Sequence, residues 1–246
     1  MTEIDLRNLV VKKIHSWLGL RQSDGSYQEI LDIYNNHKPL ARGYKIQRGD
    51  AWCAATVSAV AIALNLTDIM PTEVSCPKMV SLYQQHKLSR WEENDAYKPQ
   101  IGDICLYDWQ DDGKGDNRGV PDHIGIVTSV NGNDFTVTEG NLSGAVNTRK
   151  LYVNALYIRG FALPNYAWKA AQISEQEPVS YPAETSALRW ETVDDVPTGY
   201  YRDNVKRLIQ KGIIAGKGQK NGSVIIDMTE DMLRVLLWAE RMVSKP

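Results

Sequence analysis

The spacing of the apolar residues changes once along the first two thirds of the chain, and that change fixes the class of fold. Before about residue 90 they recur at three- and four-residue steps, so that Leu6, Leu9, Val10, Ile14 and Trp17 share one face of a helix over residues 2–18. Ser26 and Glu29 form a capping-box pattern opening a second helix. Asp50 is the expected N-cap of a third that runs to about Leu64, and a fourth follows Ser75. From Gly102 onward the period is two. The runs "DICLYDW", "HIGIVTSV", "DFTVTEGN", "AVNTRKLY" and "LYIRGFA" are rich in β-branched and aromatic residues and are separated by Gly, Asn and Asp. Helices first and strands afterwards specify an α+β fold.

After Pro164 the composition shifts to the Pro-, Glu- and Ser-rich "SEQEPVSYPAETS", the signature of a linker. The expected organisation is an α+β domain over 1–166, a linker over 167–187 and a small helical unit over 188–246. In that last unit Gly212 suits a left-handed C-cap, and a final helix opens at Thr229 with Glu230 and Asp231 in its first turn and Leu233, Leu236, Leu237 and Trp238 on its apolar side.

Several function classes are excluded by composition. The formal charge of the 246-residue chain is −2, too small to steer it onto nucleic-acid phosphates. No apolar run approaches the roughly 20 residues that span a bilayer. The N-terminus lacks the basic start, apolar run and small-residue cleavage site of a secretory signal. Cys53, Cys76 and Cys105 are odd in number and lack CxxC spacing, which suggests neither a disulfide framework nor a zinc site.

Cys53 stands where the third helix begins, a position that favours thiolate. A nucleophilic thiol requires a base and a group that orients the base. Among the histidines His123 is singled out because it opens a strand, whereas His15, His37 and His86 fall on polar sides or ends of helices. The next strand carries Glu139 and Asn141, two residues apart and so on one face. With a three-residue turn centred on Gly132, His123 lies opposite Asn141 and diagonal to Glu139; a register shifted by one would dismantle the site. Gly125, on the face of His123, is expected to leave open space beside the ring. Cys76 and Cys105 are read as structural.

"WCAATVSA", "GDICLYDW", "DHIGIV" and "TEGN", in this order, resemble the CHAP peptidoglycan amidases and endopeptidases, relatives of papain found in phage endolysins and bacterial wall hydrolases. The resemblance covers about residues 40–165. It implies papain-like helices packed on an antiparallel sheet or half-barrel. It also implies that Cys53 attacks an amide carbonyl, that His123 moves the proton, that Glu139 orients His123, and that Asn141 is a fourth polar member. Trp52 precedes the nucleophile where the family often has Gln. The backbone N–H of Cys53 is one oxyanion donor candidate, with Gln47 and Tyr44 as candidates for the second.

The loop "DWQDDGKGDNRGVPD" offers Asp108, Asp111, Asp112 and Asp116 as candidate calcium ligands, the alternative being a solvated turn whose carboxylates bond their own backbone. No other cofactor is expected. The tail, from "WETVDDVPTGYY" to "KGIIAGKG", resembles a single S-layer-homology-like repeat, which implies attachment to wall polysaccharide; a structural or dimerising appendage is the alternative. The resulting reading is a peptidoglycan hydrolase of endolysin type, made in the host cytoplasm without a signal peptide and acting at the bacterial wall. A cysteine peptidase or acyl transferase acting on proteins, and an inactive wall-binding module, are its rivals.

Overall fold

Thr2 opens the first helix, α1 (Glu3–His15): its hydroxyl accepts from the Asp5 N–H while the Asp5 carboxylate accepts from the Thr2 N–H, a complete capping box. α2 (Gln28–Asn36), α3 (Cys53–Ala63) and α4 (Cys76–Gln85) follow. Two expected caps are not realised. Ser26 instead holds the preceding turn, accepting from the Arg21 N–H and donating to Asp24, and Glu29 accepts from the Trp17 indole at 2.8 Å. Asp50 lies outside α3, where its carboxylate collects the Tyr44 hydroxyl and the Gln47 N–H. In both places the side chain found closer donors in its own loop than at the helix end.

The computed structural model describes residues 1–94, 96–114, 116–175, 189–229, 232–233 and 236–237. The chain divides into two units, Met1–Glu177 and Pro178–Pro246. In the first, α3 is apolar on every side and buried from Cys53 to Ala61, as a central helix must be. It packs on α1 and α2 and on two strands of a sheet. The strands are β1 (Arg90–Glu92), β2 (Ile104–Tyr107), β3 (His123–Asn131), β4 (Asp134–Leu142), β5 (Ala145–Tyr152) and β6 (Ile158–Leu163), in the order β1-β6-β2-β3-β4-β5 with every neighbour antiparallel. The two-residue alternation divides their side chains. Ile104, Leu106, Ile124 and Ile126 join the helical core, while Cys105, Tyr107, Val127, Phe135 and Val137 form a second cluster. The α+β class read from the sequence is the observed one.

The linker begins later than residue 167. Tyr166–Glu175 form a helix, α5, because Tyr166, Ala170 and Ile173 make an apolar stripe that packs against the core beside α1. Tyr166 also donates to the Gly102 carbonyl at 2.8 Å. Residues 176–187 of the expected linker lie outside the described residues.

The second unit, expected to be helical, also contains a sheet. β7 (Arg189–Thr192), β8 (Gln219–Lys220) and β9 (Ser223–Thr229) pair in the order β7-β9-β8 beside α6 (Tyr200–Gln210). The β-branched run Val224-Ile225-Ile226 explains the strand. Thr229 is the last residue of β9, and the described residues of the expected final helix, 232–233 and 236–237, are helical. Gly212, at φ 71°, is left-handed just past α6 as expected. Trp190, Val193, Val196, Val205, Leu208 and Leu233 form the core of this unit; Glu230, Asp231 and Trp238 lie outside the described residues. Among the described residues no helix is long and apolar enough to cross a membrane.

Candidate active site

Cys53 is the first residue of α3, and no side chain caps that helix, so its first N–H groups remain open toward the thiol. His123 is the first residue of β3. It is fixed by the preceding Asp122, whose N–H donates to the Tyr107 carbonyl at 2.7 Å and whose carboxylate accepts the Trp109 N–H at 3.0 Å. Glu139, 0% exposed on β4, meets His123 Nε2 at 2.8 Å. Because Glu139 occupies Nε2, Nδ1 is the nitrogen left to face the Cys53 thiol, and thiol and imidazole each favour the charged form of the other.

The register that joins His123 to Glu139 arises differently from the expected turn. The β3–β4 turn has two residues, between Asn131 and Asp134, and a β-bulge between Val127 and Ser129 restores the pairing Ile126↔Thr138. Carried to the start of β3, that register sets Gly125 against Glu139 and His123 toward Asn141. Gly125 does not open a cleft: a Cβ there would lie 2.6 Å from both Glu139 Cγ and Val137 Cγ1, so the missing side chain is the space in which the carboxylate sits. Gly140 has the matching role toward the helix, since a Cβ there would overlap the side chain of Thr56 on α3.

Two further side chains complete the site, neither of them anticipated. Arg149, on β5, holds Glu139 in a bidentate grip, Nε to Oε1 at 2.8 Å and Nη2 to Oε2 at 3.1 Å. Its guanidinium also lies over the rings of Trp109 and Tyr107, at 5.0 and 5.6 Å from their centroids. Those stacked rings flank the imidazole, 5.8 and 5.7 Å from it. Cys76, at the start of α4, places its sulfur 3.9 Å from that of Cys53.

These contacts set the charges. The hydrogen bond with Cys76 lowers the Cys53 pKa most; burial opposes it, and the bond to His123 lowers it further, leaving the thiol well below its ordinary value. Cys76 is displaced upward by the same bond and by burial. For His123, burial favours the neutral ring, but the bonds to Cys53 and Glu139 outweigh it and raise the pKa to about 9. Burial alone would raise the Glu139 pKa, yet His123 and Arg149 together hold it below the usual value. Each of these shifts favours the charged form: thiolate at Cys53, imidazolium at His123, carboxylate at Glu139 and guanidinium at Arg149.

The remaining candidates are placed elsewhere. Asn141 sits in the β4 bulge at φ 60°, a left-handed conformation that asparagine tolerates, and no side-chain hydrogen bond joins it to His123 or Glu139. Gln47 turns its amide onto the Lys45 carbonyl at 2.7 Å, and the Tyr44 hydroxyl donates to Asp50 at 2.8 Å, so both donors are engaged in their own loop. The Asp108 carboxylate accepts the Gln110 N–H, Asp111 that of Gly113 and Asp112 that of Lys114, while Asp116 pairs with Arg118. Among the described residues no group of three or more His, Cys, Asp or Glu side chains could hold a metal.

A helix-start thiol, an imidazole and a carboxylate in series on helices and an antiparallel sheet are the equipment of a thiol hydrolase of papain-like build. The family model of the CHAP domain matches residues 44–141, a span that contains Cys53, His123 and Glu139. A CHAP domain implies hydrolysis of the amidase or peptidase kind. A solved structure described as "The crystal structure of Ly7917" is 17% identical over 46% of this chain and 53% of that one, with a TM-score of 0.31. The chain thus spans about half the length of that protein. No curated protein matches it.

Proposed function

We propose that the protein is a bacteriolytic peptidoglycan hydrolase of the endolysin type that cleaves an amide bond of the wall peptide with Cys53, His123 and Glu139. The observation that carries this reading is the His123 imidazole held by the buried Glu139 at 2.8 Å, with the helix-start thiol of Cys53 and the imidazole each favouring the charged form of the other. The Cys53 thiolate attacks the amide carbonyl, and the developing oxyanion is met by the Cys53 N–H at the start of α3. His123 delivers its Nδ1 proton to the leaving amine, which yields an acyl-enzyme. It then takes a proton from the water that hydrolyses the thioester. Glu139 holds the ring and stabilises its charge throughout. Trp109, 37% exposed beside His123, offers an apolar face against which a peptide stem can lie. The second unit is assigned retention at wall polysaccharide, which raises the local substrate concentration without altering the chemistry.

Mass spectrometry of purified peptidoglycan digested with the full chain tests the reading. Wild-type protein should release fragments with a new amine and no new muramic acid reducing end, and Cys53→Ala should release none. Fragmentation by Cys53→Ala at the wild-type rate, or release from casein but not from wall, would overturn it.

A further inference from the structure

Cys76 reads as structural from its sequence context, and the proposed wall hydrolysis asks no bond-making or bond-breaking of its thiol. Its position calls for a chemical role. The sulfurs of Cys53 and Cys76 are 3.9 Å apart, at the first residues of α3 and α4. Both residues are largely enclosed, 4% and 6% exposed, and both are free thiols. A disulfide requires a sulfur separation near 2.05 Å, so the two sulfurs must approach by roughly 2 Å. Cys105, the third thiol, belongs to the separate cluster with Tyr107 and Val127.

We infer that Cys53 and Cys76 form an oxidation-reversible pair, in which Cys76 is the resolving thiol that captures an oxidised Cys53. The inference rests on Cys53 being the nucleophile of the proposed reaction, and it adds a regulated state to that site. In the first step the Cys53 thiolate attacks the O–O bond of a hydroperoxide, giving Cys53 sulfenic acid and releasing alkoxide or hydroxide. In the second, the Cys76 sulfur attacks the sulfenic sulfur; the S–O bond breaks, the Cys76 proton leaves with the oxygen as water, and a disulfide remains. Two equivalents of an external thiol reverse it, becoming a disulfide themselves while both cysteines regain protons. Cys53 is held toward its thiolate by His123 and by the helix start. Cys76 is near enough to react before a second oxidation to sulfinic acid, which thiols do not reverse. In the disulfide Cys53 has no free thiolate, so the enzyme is off until reduced.

Intact-mass and peptide mapping of the full chain after brief treatment with a small excess of hydrogen peroxide tests this. Wild type should lose two hydrogens, yield a linked Cys53–Cys76 peptide, and leave one alkylatable thiol of three. Dithiothreitol should restore the mass, the thiols and at least nine tenths of the wall-clearing rate. Cys76→Ser should instead gain oxygen at Cys53, with loss of activity that dithiothreitol does not recover, measured against the same variant before peroxide. Cys105→Ser should behave as wild type. Sulfinic acid on wild-type Cys53 beside an unlinked Cys76, or a bridge to Cys105, would overturn the inference. The masses need no substrate, so failure of the wall-hydrolase reading would show as absent clearing with an intact disulfide cycle.

Discussion

Replacing Arg149 with alanine tests whether the four charges act as one unit. The substitution leaves Glu139, whose side chain is fully enclosed, with His123 as its sole ionic partner among the described residues. Breaking a buried pair by removing one member costs about 3–5 kcal/mol. The Arg149 side chain is 30% exposed, so water can partly replace it and about 2–3 kcal/mol is expected. Loss of the guanidinium from the faces of Trp109 and Tyr107 adds about 0.5–1 kcal/mol. Freed on one side, the carboxylate can turn away from Nε2, so kcat should fall about 10–100-fold with KM little changed. Arg149→Lys keeps the charge without the fork and should fall between. Hydrogen exchange of the β4 amides in the full chain reports the stability of this unit, and initial rates on soluble wall fragments report the chemistry. In a Glu139→Gln background the same change should cost about 1–3 kcal/mol less. Wild-type protection and rate in Arg149→Ala, or strict additivity with Glu139→Gln, would refute the coupling.

Activity against pH should be bell-shaped. Because the His123 pKa is raised from 6.5 to about 9, its contribution to stability is complete below about 6.5 and lost as pH rises through about 9, and the rate should fall over the same alkaline range. An alkaline limb centred near 6.5 would show that the imidazolium is not held. Gly140→Ala should cost about 1–3 kcal/mol by pushing α3 from β4, read as lower exchange protection in both elements; unchanged protection would mean that the helix can shift freely. Gly125→Ala should instead displace Glu139 and reduce kcat by about 10-fold or more with a smaller stability loss, and a wild-type rate would refute that assignment. A calcium chelator should leave both rate and melting temperature unchanged, because the carboxylates of Asp108, Asp111 and Asp112 are spent on their own backbone; a joint fall in the two would show a bound ion.

Legibility of the sequence follows the range of each interaction. α1 could be placed from apolar spacing because its burial repeats with the helix period, whereas α3, buried on every side, shows only as an unbroken run of small and apolar residues. The strand pair bearing His123 and Glu139 could be read from alternation. Caps were less legible: Ser26 and Asp50 had partners within a few residues, Glu29 had one twelve residues away at Trp17, and the pattern does not say which wins. Cys76 could not be joined to Cys53 at all. They begin two helices separated by an irregular segment, and only the packing of α3 and α4 brings the sulfurs together.

Arg149 is a different case, because its partner could have been counted across a hairpin. Leu142 faces Ala145 across the two-residue turn Ser143-Gly144. Continued without interruption, that pairing would set Glu139 opposite Thr148, which puts Arg149 on the other face of the sheet. The bulge between Glu139 and Leu142 shifts the pairing by one, to Glu139↔Asn147, and Arg149 becomes the diagonal neighbour on the same face as the carboxylate. The β3–β4 hairpin does the same through its own bulge: without it Glu139 would oppose Ile126, a helix-facing residue, and could not share a face with His123. Each side of Glu139 is thus aligned by one extra residue in a strand. The left-handed Asn141 and the side-chain-free Gly140 occupy the second of those irregularities, which gives the "EGN" run a mechanical reason. It turns the edge of the sheet so that an imidazolium and a guanidinium reach one buried carboxylate from opposite strands.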